Sequence, residues 1–136
     1  MKKLVFLLLA VMLLAACGQD KENDQGAVYV NITAEEAKQI MDSEEGYIIL
    51  DVRRPDEFAA GHIPGAVNLP NEIIGAAESA EDEEIKNILP DQEQLILVYC
   101  RSGNRSKQAS QKLADLGYVH IVEFGGIQDW PGEIEY

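Results

Sequence analysis

Short apolar runs alternate with amphipathic stretches from Val28 to the end of the chain, and this pattern predicts strands alternating with helices. Residues 28–31 read as a short strand. Thr33 and Glu36 stand three apart just before an apolar stripe of Ala37, Ile40 and Met41, so they predict a capping box that opens a helix. Residues 47–50 form a second strand ending at Asp51. Pro55 then begins a short helix, where its missing N–H costs nothing, and Gly61 can close it. Residues 66–69 make a weaker third strand. Residues 71–89 are helical in places but interrupted by the acidic run 78–84, which reads as a solvated segment. Residues 95–99 are apolar without a break, as expected of a central parallel strand covered on both faces. Ala109, Leu113 and Leu116 recur at helical spacing, and Gly117 is placed as a stop. A last strand over residues 121–124 leads into Gly125, Gly126 and Trp130, with Trp130 expected to pack the end of the sheet. The alternation predicts a single α/β domain with a mostly parallel central sheet flanked by helices.

The pattern is different at the N-terminus. Lys2 and Lys3 precede an apolar stretch over residues 4–14, too short to span a bilayer stably but suited to the core of an export signal. It ends in Leu14-Ala15-Ala16-Cys17, which resembles the lipobox of bacterial lipoproteins. That resemblance implies cleavage before Cys17 and attachment of lipid to it. An anchor of more than one acyl chain holds a protein to a membrane far more firmly than one chain does. Residues 18–27 are charged and lack apolar periodicity, so they read as a flexible tether. The expected organisation is a signal peptide over 1–16, a lipidated cysteine and tether over 17–27, and a domain over 28–136. The protein would be extracytoplasmic and lipid-anchored to a bacterial membrane.

The chain carries 24 acidic and 11 basic residues for a formal charge of -13, and loss of Lys2 and Lys3 with the leader makes it more negative. Nucleic acid is therefore not an expected partner. The same field repels small anions, so any anion site must be a local arrangement of donors and arginines. Cys17 and Cys100 are the only cysteines, and no disulfide is expected between an export signal and a folded domain. The two histidines and Cys100 lack metal-ligand spacing, and there is neither a glycine-rich dinucleotide fingerprint nor a phosphate-loop lysine. No metal or cofactor is expected, and the domain is expected to be a monomer.

The segment between the central strand and the next helix is Cys100-Arg101-Ser102-Gly103-Asn104-Arg105, with Ser106 opening the helix. Ligands of parallel α/β sheets bind beyond the carboxyl ends of the strands, and a short loop that curls into a helix there aims several backbone N–H groups at one point. Such a nest favours negative charge. A cysteine at its head should have its thiolate stabilised by amides, helix dipole and neighbouring arginines, which lower a thiol pKa and activate the nucleophile. Cys100 is thus the candidate nucleophile, placed after the apolar run among polar residues where burial offers it no advantage. Gly103 permits the turn. Arg101, Ser102, Gly103, Asn104 and Arg105 are candidate substrate-binding residues, the arginines either holding an anion or bracing the loop. Asp51 and Arg53 at a strand end, and His62 in the turn Gly61-His62-Ile63-Pro64-Gly65, are expected to support the site rather than react. A general base is not required of His62 if the nest already ionises Cys100.

This loop, together with Leu50-Asp51-Val52-Arg53 and Gly61-His62-Ile63-Pro64-Gly65-Ala66 upstream and Gly125-Gly126-Ile127-Gln128-Asp129-Trp130 downstream, resembles a single-domain rhodanese over residues 28–136. The resemblance implies a rhodanese-like fold and a persulfide mechanism. In it the thiolate takes the outer sulfur of thiosulfate or a polysulfide, and that sulfur passes to an acceptor thiol or cyanide. Cysteine-dependent phosphatases have a similar loop with five residues between cysteine and arginine, whereas four intervene between Cys100 and Arg105. The tighter nest suits a single sulfur better than a tetrahedral phosphoryl group. The alternative within the same fold is a noncatalytic or redox-relay module that binds a partner or senses sulfane sulfur. For the leader, the lipobox reading predicts that cells fed radiolabelled palmitate incorporate it into the full-length protein and that Cys17→Ser abolishes the label; undiminished labelling of that variant would sink the reading.

Overall fold

The computed structural model describes residues 28–136, so the leader, Cys17 and the tether lie outside the described residues. The chain order is β1 (Val30–Asn31), α1 (Ala34–Ser43), β2 (Tyr47–Asp51), α2 (Pro55–Ala59), β3 (Val67–Asn68), α3 (Asn71–Ala76), α4 (Glu83–Ile88), β4 (Leu95–Cys100), α5 (Asn104–Asp115) and β5 (Ile121–Gly126). A 3-10 turn over Ile127–Asp129 follows. The strands form one sheet in the order β1-β5-β4-β2-β3, with every pairing parallel. This order sets β4 between β2 and β5, so the segments leaving the carboxyl ends of all three meet around the head of β4.

Side chains of β4 alternate between two cores. Ile96, Val98 and Cys100 join Leu50, Val52, Ile74, Ile85, Ala109 and Leu113 on one face of the sheet. Leu95, Leu97 and Tyr99 join Ala37, Ile49, Ile63, Val122 and Phe124 on the other. Every residue of β4 is buried, which explains an apolar run without alternation. The capping box forms as expected, with Thr33 Oγ1 accepting from Glu36 N at 3.1 Å and Glu36 Oε1 accepting from Thr33 N at 2.9 Å. Trp130 packs its ring 6.0 Å from that of Phe124 at the end of the sheet.

Several boundaries differ from the hydrophobic pattern. The edge strands β1 and β3 shrink to two residues each, because an edge has a ladder on one side only. Two of the three inner strands lengthen instead: β4 runs through Cys100 and β5 through Gly126. Between them the register slips, since Val98 pairs with Glu123 but Cys100 pairs with Gly126. The extra residue on β5 is accommodated by Gly125 at φ +87, a conformation that side chains disfavour.

A buried ion pair ties the end of β2 to the turn before β3. Arg53 donates Nε to Asp51 Oδ1 at 3.0 Å and Nη2 to Asp51 Oδ2 at 2.8 Å, and Nη2 also reaches the Gly61 carbonyl at 2.7 Å. The guanidinium lies 5.8 Å from the Tyr99 ring centre. Asp51 also accepts from the Arg53 amide at 2.9 Å. Removing one partner of such a pair strands the other charge without solvent. Asp51→Ala is expected to lower unfolding free energy by about 3–5 kcal/mol, measured as a fall in the urea midpoint; a midpoint unchanged from the parent would contradict the pair's structural role.

Candidate active site

Cys100 ends β4, and the chain turns through Arg101, Ser102 and Gly103 into α5. Gly103 adopts φ +116, a left-handed conformation at the helix N-cap that brings its own N–H back to the Cys100 sulfur at 3.0 Å. Ser106, in the first turn of α5, sets its hydroxyl 3.4 Å from the same sulfur. Burial pushes the Cys100 thiol up, but hydrogen bonds from the Ser106 hydroxyl and from the amides of Ser106, Gly103 and Ser102 outweigh it, so the thiol titrates below its ordinary value. The converging amides anticipated from the loop sequence are present.

The sulfur's surroundings differ from expectation in one respect. Cys100 is only 1% exposed and belongs to the apolar cluster with Val98 and Ala109, rather than standing in a polar loop. The reason is the strand extension through the β5 irregularity: the last residue of β4 remains inside the sheet and the loop begins beyond it. Packing is close here. A Cβ on Gly126 would stand 1.8 Å from the Arg101 carbonyl oxygen, so the end of β5 and the reactive loop touch through backbone alone.

The loop arginines divide. Arg105 donates Nη1 to Glu57 Oε1 at 2.8 Å and Nη2 to Glu57 Oε2 at 3.2 Å, a two-pronged pair that braces α5 against α2. Both terminal nitrogens of its guanidinium are thus engaged by Glu57, an arrangement that favours the bracing role over the holding of an anion. It still acts on the sulfur by charge, because Cys100 is among the groups that favour its protonated form. Arg101, Ser102 and Asn104 are exposed, and Arg101 has no ion pair or side-chain hydrogen bond among the described residues.

The remaining expected residues serve the frame. Asp51 and Arg53 bind each other, as described. His62 stacks on Phe58 with ring centres 3.8 Å apart and places Nδ1 at 2.9 Å from the Phe58 carbonyl, while its backbone exchanges hydrogen bonds with Glu135. It has no contact with Cys100.

Three neighbours went unnoticed in the sequence: Glu57, Ser106 as a contact of the sulfur, and Glu123. Glu57 could have been found from topology, because α2 leaves β2 beside β4. Glu123 carried a plainer signal, a lone acid inside the apolar strand Ile121-Val122-Glu123-Phe124. It is fully buried and accepts from Asn31, Ser106 and Gly125. Among the described residues no group of three or more His, Cys, Asp or Glu is placed to hold a metal ion.

With this geometry described, comparison with known proteins decides the family. The model of the rhodanese-like domain matches residues 33–133. The chain belongs to the rhodanese family. It is 34% identical over 80 residues to the thiosulfate sulfurtransferase PspE of Escherichia coli, covering 59% of this chain and 70% of that one. It is 35% identical over 102 residues to a sulfurtransferase of Allochromatium vinosum, covering 73% and 85% respectively. The structure of the human single-domain sulfurtransferase TSTD1 superposes with a TM-score of 0.62 at 30% identity, covering 77% of this chain and 96% of that one. The parallel sheet and its flanking helices are those of this fold, and the enzyme class is rhodanese-type sulfurtransferase.

The Arg105 and Glu57 brace has a pH signature. Hydrogen bonding to Arg105 holds the Glu57 carboxyl down from 4.5 to about 2. A carboxyl depressed on folding contributes stability that is complete above its unfolded pKa and lost as pH falls through the folded one. Wild type should therefore lose stability relative to Glu57→Gln as pH drops from about 4.5 to about 2, where the two melting curves converge. A stability difference that stays constant across that window would show that the pair contributes nothing.

Proposed function

We propose that this domain moves a sulfane sulfur from thiosulfate or a polysulfide to a thiol or cyanide acceptor through a persulfide on Cys100. The observation that carries the reading is the approach of the Gly103 amide to 3.0 Å and of the Ser106 hydroxyl to 3.4 Å from one sulfur, whose anionic form the Ser102 and Ser106 amides also favour. In the first half-reaction the Cys100 thiolate attacks the outer sulfur of thiosulfate. A new S–S bond forms, the old one breaks, and sulfite leaves with the electron pair. The negative charge then resides on the outer persulfide sulfur. In the second half-reaction an acceptor thiolate or cyanide takes that outer sulfur and returns Cys100 as thiolate. No redox partner or cofactor is needed for either step.

Charge placement supports an anionic donor in spite of the acidic chain. Arg101 is exposed beside the nest and unpaired among the described residues, so it is the group positioned to receive the sulfonate end. Arg105 is tied to Glu57 and keeps the loop in place. The leader and Cys17 add location to the proposal: the domain works outside the cytoplasm, tethered by lipid to a bacterial membrane. A second reading, a redox-relay or sensing module, has one observation in its favour, the near-complete burial of Cys100.

Mass spectrometry of the purified protein after exposure to thiosulfate or polysulfide separates the two. A gain of one sulfur is expected in wild type and not in Cys100→Ser. Arg101→Ala should lower kcat/KM for thiosulfate by about tenfold or more, chiefly through KM, as befits one lost charge-assisted contact. Failure of wild type to gain sulfur from any donor would leave only the module.

A further inference from the structure

The mechanism above leaves one buried ionisable group unused. Glu123 is fully buried in β5, has no ion pair among the described residues, and stands one hydroxyl away from the reacting sulfur. Its Oε2 meets the Ser106 hydroxyl and accepts from the Gly125 amide at 2.9 Å, while Oε1 accepts from Asn31 Nδ2. Ser106 is itself fully buried. Its oxygen faces Cys100 Sγ at 3.4 Å, the Gly103 carbonyl at 3.0 Å and the Gly125 carbonyl at 3.3 Å in addition to Glu123.

A serine hydroxyl has one proton to donate. The two carbonyls can only accept, so the proton balance of this cluster is decided by Cys100 and Glu123. If both were anionic, Ser106 would stand between two negative charges in a buried site and could satisfy only one of them. Like charges sharing such a site do not both ionise readily. Two arrangements avoid the conflict at equal total charge. In one, a Cys100 thiol donates to Ser106 and Ser106 donates to a Glu123 carboxylate. In the other, a Glu123 carboxylic acid donates to Ser106 and Ser106 donates to a Cys100 thiolate.

We propose that Ser106 and Glu123 form a proton relay for Cys100, in which the thiol proton moves to Ser106 Oγ as the Ser106 proton moves to Glu123 Oε2. The S–H and Ser O–H bonds break, a Ser O–H and a Glu O–H bond form, and one negative charge passes from carboxylate to sulfur. The reverse shift restores the resting thiol after sulfur has left. Glu123 is a positioning residue, since it reaches the sulfur only through Ser106. The relay rests on the sulfurtransferase reading for its purpose, though not for its chemistry.

Other charged groups face the cluster. Tyr29, just before β1, is held in its protonated form by burial and by the charge of Glu123. Arg105 on α5 faces Cys100 and favours the thiolate. Neither hydrogen-bonds to Ser106, so the exchange lies between Cys100 and Glu123, the two groups that meet its hydroxyl.

The test joins infrared and ultraviolet spectra of the full-length protein in detergent across a pH series. At the onset of thiolate absorbance, wild type should show the carbonyl band of a protonated carboxylic acid. That band should be absent from Glu123→Gln, which assigns it, and from Cys100→Ala, which removes the proton donor. Ser106→Ala should lose the band and alkylate with iodoacetamide about tenfold more slowly near neutral pH, the equivalent of one pKa unit. Thiolate absorbance without the band in wild type, or a band that persists in Cys100→Ala, overturns the relay. If Glu123→Gln fails to fold, Ser106→Ala and Cys100→Ala still decide the matter. Neither spectrum requires a sulfur donor. Relay signals without persulfide formation would sink the sulfurtransferase reading alone, and persulfide formation without the band would sink the relay alone.

Discussion

The hydrogen bond from the Gly103 amide to the Cys100 sulfur, 3.0 Å long, closes the β4–α5 loop on the residue at its head. Its geometry propagates outward. Closing the loop within three residues demands the left-handed conformation of Gly103, and the compact turn presses the Arg101 carbonyl against β5. Only a glycine at position 126 tolerates that approach, and only a glycine at 125 readily provides the irregularity that realigns β5 with the end of β4. The glycine pair at the end of the sheet is therefore part of the cysteine's environment, although it contributes no side chain.

Electrostatics follow the same local logic. A chain of formal charge -13 should turn anions away, and several acids do stand close to the loop. Three of them are engaged by arginines, however. Asp51 is taken up by Arg53, Glu57 by Arg105, and Asp56 by Arg54 at 3.0 Å. With these carboxylates matched, the exposed guanidinium of Arg101 and the loop amides set the field that an approaching donor meets. At physiological ionic strength, acidic groups on distant faces are screened beyond about 8 Å.

Features that depend on neighbours in sequence were legible before the fold was known. The capping box at Thr33, the central strand, the stop at Gly117 and the reactive loop all declare themselves within a few residues. What could not be read was whatever the sheet order brings together across the chain. Arg105 looked as fit to hold an anion as to brace the loop, and the contact that favours bracing comes from Glu57, 48 positions away. The burial of Cys100 was likewise hidden, because it depends on a register slip in β5 rather than on the polarity of its own loop. Glu123 could have been suspected, since an acid inside an apolar strand needs buried partners. Its partners, Asn31, Ser106 and Gly125, come from three different parts of the chain.

Burial of the sulfur and the reactivity proposed for it pull in opposite directions, and the proposed persulfide cycle would reconcile them. At 1% exposure the Cys100 sulfur offers little surface to a bulky thiol. Loading would change this, because the outer sulfur of a persulfide stands about 2 Å beyond the first. On the proposed cycle, a resting cysteine shielded from oxidants and a loaded one nearer an acceptor would be two states of one geometry, separated by a single bond length. Shielding also removes the water that would otherwise stabilise the thiolate, so the supporting dipoles must come from the protein. The amides of the loop and the Ser106 hydroxyl supply them.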